Sequence, residues 1–286
     1  MIEINHLVKK YGNHLAVDDL NLTIEPGQIY GFLGPNGAGK STTMNIMTGY
    51  LGATSGSVKI NGFDIFANPE EAKKCIGYLP ELPPVYMDMT VQEYMNFVAE
   101  LKKIAKEKRK QYIKEAMDLT KITEMGGRLI KNLSKGYRQR VGLAQAVLGY
   151  PEVIILDEPT VGLDPKQIIE IRELIKELGK KHTVILSSHI LAEVSAVCDH
   201  VFIISQGRLV ASDTVENLTN LMSGGRELSL TLKAKKEQAK EALEQFDAVE
   251  VSEVSDAEKD CASFKLRVTG EEDVREALFY FCAENL

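Results

Sequence analysis

Ile29-Tyr30-Gly31-Phe32-Leu33-Gly34-Pro35-Asn36-Gly37-Ala38-Gly39-Lys40-Ser41 decides the fold. The apolar run Ile29 to Leu33 reads as a buried strand. The octapeptide from Gly34 to Ser41 fits the pattern G-x-x-x-x-G-K-[ST] without a mismatch, and Ser41 to Met47 reads as a helix. A glycine-rich turn in this context lets consecutive backbone N–H groups converge on one anion. The helix start adds positive potential. Lys40 is placed to reach the outer phosphates of a nucleotide, and the Ser41 hydroxyl to ligate Mg²⁺. The candidate phosphate-binding set is Gly34, Pro35, Asn36, Gly37, Ala38, Gly39, Lys40, Ser41 and Thr42.

Working outward, Val153-Ile154-Ile155-Leu156-Asp157-Glu158 is an apolar run ending in two carboxylates. It reads as a strand of a parallel sheet, buried on both faces. Asp157 is a candidate Mg²⁺ ligand, through water, and Glu158 a candidate acceptor of a proton from an attacking water. Taken alone, the run is equally a buried strand that ends in solvated acids. Upstream, Leu133-Ser134-Lys135-Gly136-Tyr137-Arg138-Gln139-Arg140 places Ser134 as an N-cap, with a helix after Gly136 through Leu148.

The order and spacing of these segments resemble the ABC-type ATPases. The phrase from Leu133 to Pro165 is similar to the ATP-binding subunits of ABC-2-type exporters. The resemblance covers about residues 1 to 220. It implies that Ser134 and Gly136 meet the γ-phosphate held by a second copy. It implies a D-loop at Val161-Gly162-Leu163-Asp164 and a switch histidine at His189, and it matches Tyr11 to an aromatic that stacks on adenine. Three positions depart from the family pattern. The signature is usually Leu-Ser-Gly-Gly-Gln, so Lys135 and Tyr137 differ. After Ile76-Gly77-Tyr78-Leu79 the family usually carries a glutamine, where this chain has Glu81. A carboxylate there can ligate Mg²⁺ but adds negative charge beside a triphosphate.

Composition fits one large domain and a small one in 286 residues. No apolar run reaches the roughly 18–20 residues needed to cross a bilayer. The opening Met1-Ile2-Glu3-Ile4-Asn5 reads as a strand and not as a signal segment, so a cytoplasmic location is expected, peripheral on the inner face of the cell membrane. Cys75, Cys198, Cys261 and Cys282 lack metal-like spacing and read as reduced thiols. The net charge is −7, and residues 226–286 carry 9 Lys and Arg against 15 Asp and Glu, hence −6 of it. An acidic tail argues against a nucleic-acid partner.

Along the chain, residues 57–65 read as a hairpin turning at Asn61-Gly62. Thr90-Val91-Gln92-Glu93 reads as a capping box opening a helix whose buried face is Val91, Tyr94, Met95, Phe97, Val98 and Leu101. The basic run Lys102 to Lys114 reads as a solvated helix face. Leu82-Pro83-Pro84-Val85-Tyr86-Met87-Asp88-Met89 is too apolar for a free loop and is expected to be buried or bound. After a boundary at Gly224-Gly225, strand, helix, strand, strand, helix (from Glu271) suggests a small module. A ferredoxin-like unit needs one more strand, so the module uses another arrangement or the sequence stops short of it.

The expected fold is therefore α/β: a P-loop NTPase core with an antiparallel β subdomain and an α-helical subdomain, plus a small C-terminal α+β module. The ATP-binding domain is expected over 1–225, its helical subdomain over about 82–150, and the module over 226–286. The resemblance implies an ATPase that powers export, using ATP and Mg²⁺, by head-to-tail dimerisation with a second copy or a related subunit. A separate transmembrane permease subunit is implied as partner. The alternatives are a soluble ABC-type ATPase acting on nucleic acid or ribosomes, and a regulatory ATP-binding module.

Overall fold

Every residue of strand Val153–Leu156 and of strand Thr183–Ser188 is buried. Fully burying one large aliphatic side chain stabilises the fold by roughly 1.5–3 kcal/mol. Such runs therefore occupy the middle of a sheet covered on both faces. The computed structural model describes residues 1–222, 226–256, 261–268 and 273–285. In it, Ile29–Leu33 pairs in parallel with Thr183–Ser188 on one side and His200–Ser205 on the other. Val153–Leu156 and then Ile76–Leu79 continue the parallel sheet, and Arg208–Thr214 closes its far side antiparallel to His200–Ser205. The carboxyl ends of the parallel strands thus lie along one edge, where open α/β sheets bind their ligands.

A second sheet is antiparallel, in the order His14–Ile24, Ile2–Tyr11, Ser55–Ile60, Phe63–Asp64. Its hairpin turns at Asn61-Gly62, with Ile60 opposite Phe63. Met44, Ile46 and Met47 of helix Lys40–Met47 share one core with Ile2, Ile4 and Leu7 of this sheet and with Phe32, Ile155 and Phe202 of the first. The helix that follows the glycine-rich turn is thereby fixed from both sides.

Helix Val91–Leu101 opens on a complete capping box. The Glu93 N–H donates to Thr90 Oγ1 at 3.2 Å, and the Thr90 N–H donates to Glu93 Oε2 at 2.8 Å. Its buried face is Val91, Tyr94, Met95, Val98 and Ala99. Two expected members differ. Phe97 is half-buried against Tyr86, ring centroids 5.2 Å apart. Leu101 is 64% exposed, because the chain turns away through Lys103 at φ 55° and the last helical turn clears the core. In helix Lys106–Leu119, Ile113, Ala116 and Met117 face inward while Lys106, Lys108, Lys110 and Lys114 are solvated. Lys102 Nζ donates to the carbonyls of Gln145 (2.8 Å) and Leu148 (2.7 Å), capping the end of helix Lys135–Val147.

The chain divides into two units, Met1–Val215 and Glu216–Leu286. The second holds an antiparallel sheet in the order Arg226–Leu232, Ala262–Val268, Val249–Asp256. Helices Lys236–Leu243 and Arg275–Asn285 supply Leu243 and Leu278 to a core with Phe264 and Leu266. Among the described residues, no fourth strand joins this sheet. The boundary expected at Gly224-Gly225 and the helix start expected at Glu271 lie outside the described residues.

Candidate active site

A cavity of about 450 Å³ opens at the strand-end edge. Tyr11, His14, Ala16, Asn36, Gly37, Ala38, Gly39, Lys40, Ser41, Thr42, Glu81, Glu158, Val161 and His189 line it. Four loops meet there, from the ends of Ile29–Leu33, Ile76–Leu79, Val153–Leu156 and Thr183–Ser188.

The glycine-rich turn needs its glycines for backbone shape. Gly39 has φ 104°, and a Cβ there would fall 2.5 Å from the Ala16 carbonyl oxygen. Lys40 is 5% exposed. Its Nζ donates to Gly34 O at 2.7 Å and Pro35 O at 3.2 Å, and lies 3.6 Å from Glu158 Oε1. Gly34 and Pro35 thus hold the lysine by their carbonyls and do not line the cavity.

Asp157 is buried behind the cavity wall, 3% exposed. Its Oδ1 accepts from Ser41 Oγ at 3.1 Å and from Ser187 Oγ at 2.6 Å. The Glu158 N–H donates to Ser187 Oγ at 2.8 Å. Glu158 itself sits at φ 46°, a left-handed backbone that costs a non-glycine residue about 1–3 kcal/mol. Its carboxylate lies 3.1 Å from His189 Nδ1. The adjacent strands Val153–Leu156 and Thr183–Ser188 therefore bring Asp157, Glu158 and His189 together. Glu81 and Tyr11 are exposed at the rim, with Lys9 Nζ 5.1 Å from the Tyr11 ring centroid.

Ser134 and Gly136 do not line this cavity. Ser134 Oγ caps its helix by accepting the Tyr137 N–H at 3.3 Å. Gly136 abuts helix Pro165–Gly179: a Cβ there would fall 2.6 Å from the Gln167 side chain. That helix starts at Asp164, whose Oδ1 accepts the Gln167 N–H at 2.9 Å. Arg140 of the signature helix pairs with Glu170 of the same neighbour. Lys135 Nζ lies against Gly162, only 2.0 Å from where a Cβ would stand. The signature segment and the D-loop segment of one chain are thus a single packed unit.

Sequence reasoning missed Glu193, which bridges two of these loops from behind. Its only sequence signal is an acid in the first turn of a short helix, Leu191–Ser195, after the histidine.

Among the described residues, no helix is long and apolar enough to cross a membrane. The family model described as "ABC transporter" matches residues 17–161. The bacitracin transport ATP-binding protein BcrA of Bacillus licheniformis is 40% identical over 220 residues, covering 76% of this chain and 71% of that protein. The linearmycin resistance ATP-binding protein LnrL of Bacillus subtilis is 32% identical over 233 residues, covering 81% of this chain and 75% of that protein. Among solved structures, a dimeric bacterial ABC transporter cassette, MJ0796, is similar with a TM-score of 0.68 at 25% identity, covering 75% of this chain and 99% of that one.

Proposed function

The chain belongs to the ABC transporter family as an ATP-binding subunit, and from that premise we propose that two copies, or this chain and a related one, clamp two ATP molecules head to tail and drive a membrane permease that exports its cargo. The observation that carries this reading is the convergence of four strand-end loops on one cavity, while Ser134 and Gly136 of the same chain stand away from it.

The chain's own residues divide the work of hydrolysis. Backbone N–H groups from Gly37 to Thr42 and the Lys40 ammonium hold the phosphates in line. The Tyr11 ring offers a face to the base. Ser41 and Asp157 offer a hydroxyl and a carboxylate oxygen side by side, the hard donors that Mg²⁺ takes, and Glu81 adds a third oxygen donor at the rim. When bound, Mg²⁺ offsets charge on the β- and γ-phosphoryl oxygens. Glu158 accepts a proton from the attacking water, and His189, held against that carboxylate, faces the γ-phosphate. The Ser134 helix start of the second copy offers N–H groups and dipole potential to the same phosphate. Loss of that phosphate removes the shared ligand, and the clamp loosens.

The exposed Leu82, Tyr86 and Met87, at 77%, 54% and 43%, are the surface we assign to the permease. The resistance and antibiotic-transport names of the relatives support export, with the chain peripheral on the cytoplasmic face of the membrane. We assign the ATP-binding domain to residues 1–225, with its helical subdomain over about 82–150, and an accessory domain to 226–286. The test is ATPase activity of the chain alone and in native membranes. Stimulation by a co-purifying multi-span subunit is expected. Stimulation by RNA or ribosomes in its place would overturn the reading.

A further inference from the structure

We propose that Glu193 is a positioning residue for hydrolysis, holding the loop that carries Glu158 in register with the strand end that carries His189. A single oxygen, Glu193 Oε2, accepts from Thr160 Oγ1 at 2.8 Å and from Ser188 Oγ at 2.8 Å. Thr160 follows Glu158 by two residues, and Ser188 immediately precedes His189. All three bridging groups are buried, Glu193 at 8%, Thr160 at 6% and Ser188 at 1% exposure. The Ile190 N–H donates to Ser188 Oγ at 3.1 Å, which leaves that hydroxyl's proton for Glu193. The other carboxylate oxygen, Oε1, lies 3.9 Å from Arg172 Nη2 on helix Pro165–Gly179. The bridge is thus braced from the helix that the signature glycine packs against.

Glu158 is in a strained left-handed conformation, and His189 stands on an exposed turn with a 40% exposed side chain. Two buried hydroxyls on one carboxylate oxygen add a second tie between the two loop ends, beside the bond from the Glu158 N–H to Ser187 Oγ. Removing the buried acceptor is costly, because it leaves the protons of both hydroxyls without the oxygen that takes them, away from water. A displacement of the order of 1 Å at reacting groups is enough to cost about 100-fold in rate. Glu193 does not line the cavity, so binding should survive where turnover does not.

The inference rests on the roles proposed for Glu158 and His189, and the full-length chain tests both. Steady-state hydrolysis and fluorescent-ATP binding are measured for the wild type, Glu158→Gln, Glu193→Ala, Glu193→Gln and Thr160→Val. Expected for Glu193→Ala is a kcat lower by about 10- to 100-fold, with nucleotide Kd within about threefold of wild type. Glu193→Gln keeps an oxygen for both hydroxyls and recovers most of the rate. Thr160→Val lowers kcat in the same sense, and combining it with Glu193→Ala adds nothing. A Glu193→Ala protein with wild-type kcat, or one that loses binding and turnover together, overturns the proposal, as does a glutamine variant as slow as alanine. If Glu193→Ala does not fold, Thr160→Val decides: unchanged kcat overturns, reduced kcat at unchanged Kd supports. Should Glu158→Gln hydrolyse at the wild-type rate, the reading of the site fails. Should it be inactive while Glu193→Ala is not, only the present proposal fails.

Discussion

Lys40 Nζ and Glu158 Oε1 lie 3.6 Å apart, both side chains under 10% exposed. The ammonium that should grip a nucleotide is thus held by its own loop carbonyls and by the residue proposed to activate water. Incoming phosphates must compete with Glu158 for this lysine and must accept a nearby like charge. Glu158→Gln removes both effects. Its Kd for Mg-ATP is expected to fall several-fold while hydrolysis slows by about 10²–10⁴-fold. Equilibrium binding beside single-turnover hydrolysis checks this.

Lys40→Ala acts on the same pair from the other side. Nucleotide affinity is expected to drop below detection. The free protein should also lose about 1–3 kcal/mol of stability, because among the described residues the buried Glu158 carboxylate then keeps only His189 beside it. Chemical denaturation without nucleotide measures the second effect. An unchanged midpoint would mean that the pair holds nothing in the free state.

Tyr86 and Met87 are expected to matter for coupling and not for chemistry. Tyr86 stands on Phe97 and Tyr94, with centroids 5.2 and 6.1 Å away, and so presents a firm apolar surface. Tyr86→Asp and Met87→Asp should abolish transport in cells while the purified protein hydrolyses ATP normally. Normal transport from both variants would count against this docking surface.

At the Mg²⁺ position, Glu81→Gln should lower the magnesium concentration needed for half-maximal hydrolysis or raise it, but not leave it unmoved. A carboxylate and an amide differ by a full charge at a cation's edge. An identical magnesium titration would remove Glu81 from the site.

Acid should loosen the helical region at a defined place. The Thr90 N–H and hydroxyl beside Glu93 hold its carboxyl below the usual glutamate range. A folded pKa below the unfolded one contributes stability that is present above the unfolded value and is lost as pH falls through the folded value. Helix Val91–Leu101 should therefore fray at its start in acid. Thr90→Val removes the hydroxyl but keeps the backbone N–H, so it should raise the Glu93 titration by NMR only part of the way back toward the usual glutamate range.

Much of this was legible because local rules and the global fold agree. The capping box at Thr90 and Glu93, the hairpin at Asn61-Gly62 and the strand-to-turn order around Lys40 are short-range signals with one outcome. What stayed hidden depends on tertiary packing. Periodicity put Leu101 inside, but the chain turns at Lys103 before that position reaches the core. The Lys102 cap on helix Lys135–Val147 joins segments far apart in sequence. The Glu193 bridge needs two parallel strands to be neighbours before one carboxylate can reach Thr160 and Ser188 together. Gly136, which the family resemblance assigns to the γ-phosphate held by a second copy, is within one chain also where helix Pro165–Gly179 makes its close approach, and that role carries no local signal.

Sharing of each nucleotide between two copies is the central claim, and sedimentation of Glu158→Gln with and without saturating Mg-ATP measures it most directly. The account predicts a monomer without nucleotide and a stable dimer with it, lost again when Ser134→Arg is added. A protein that stays monomeric with both sites filled would contradict it.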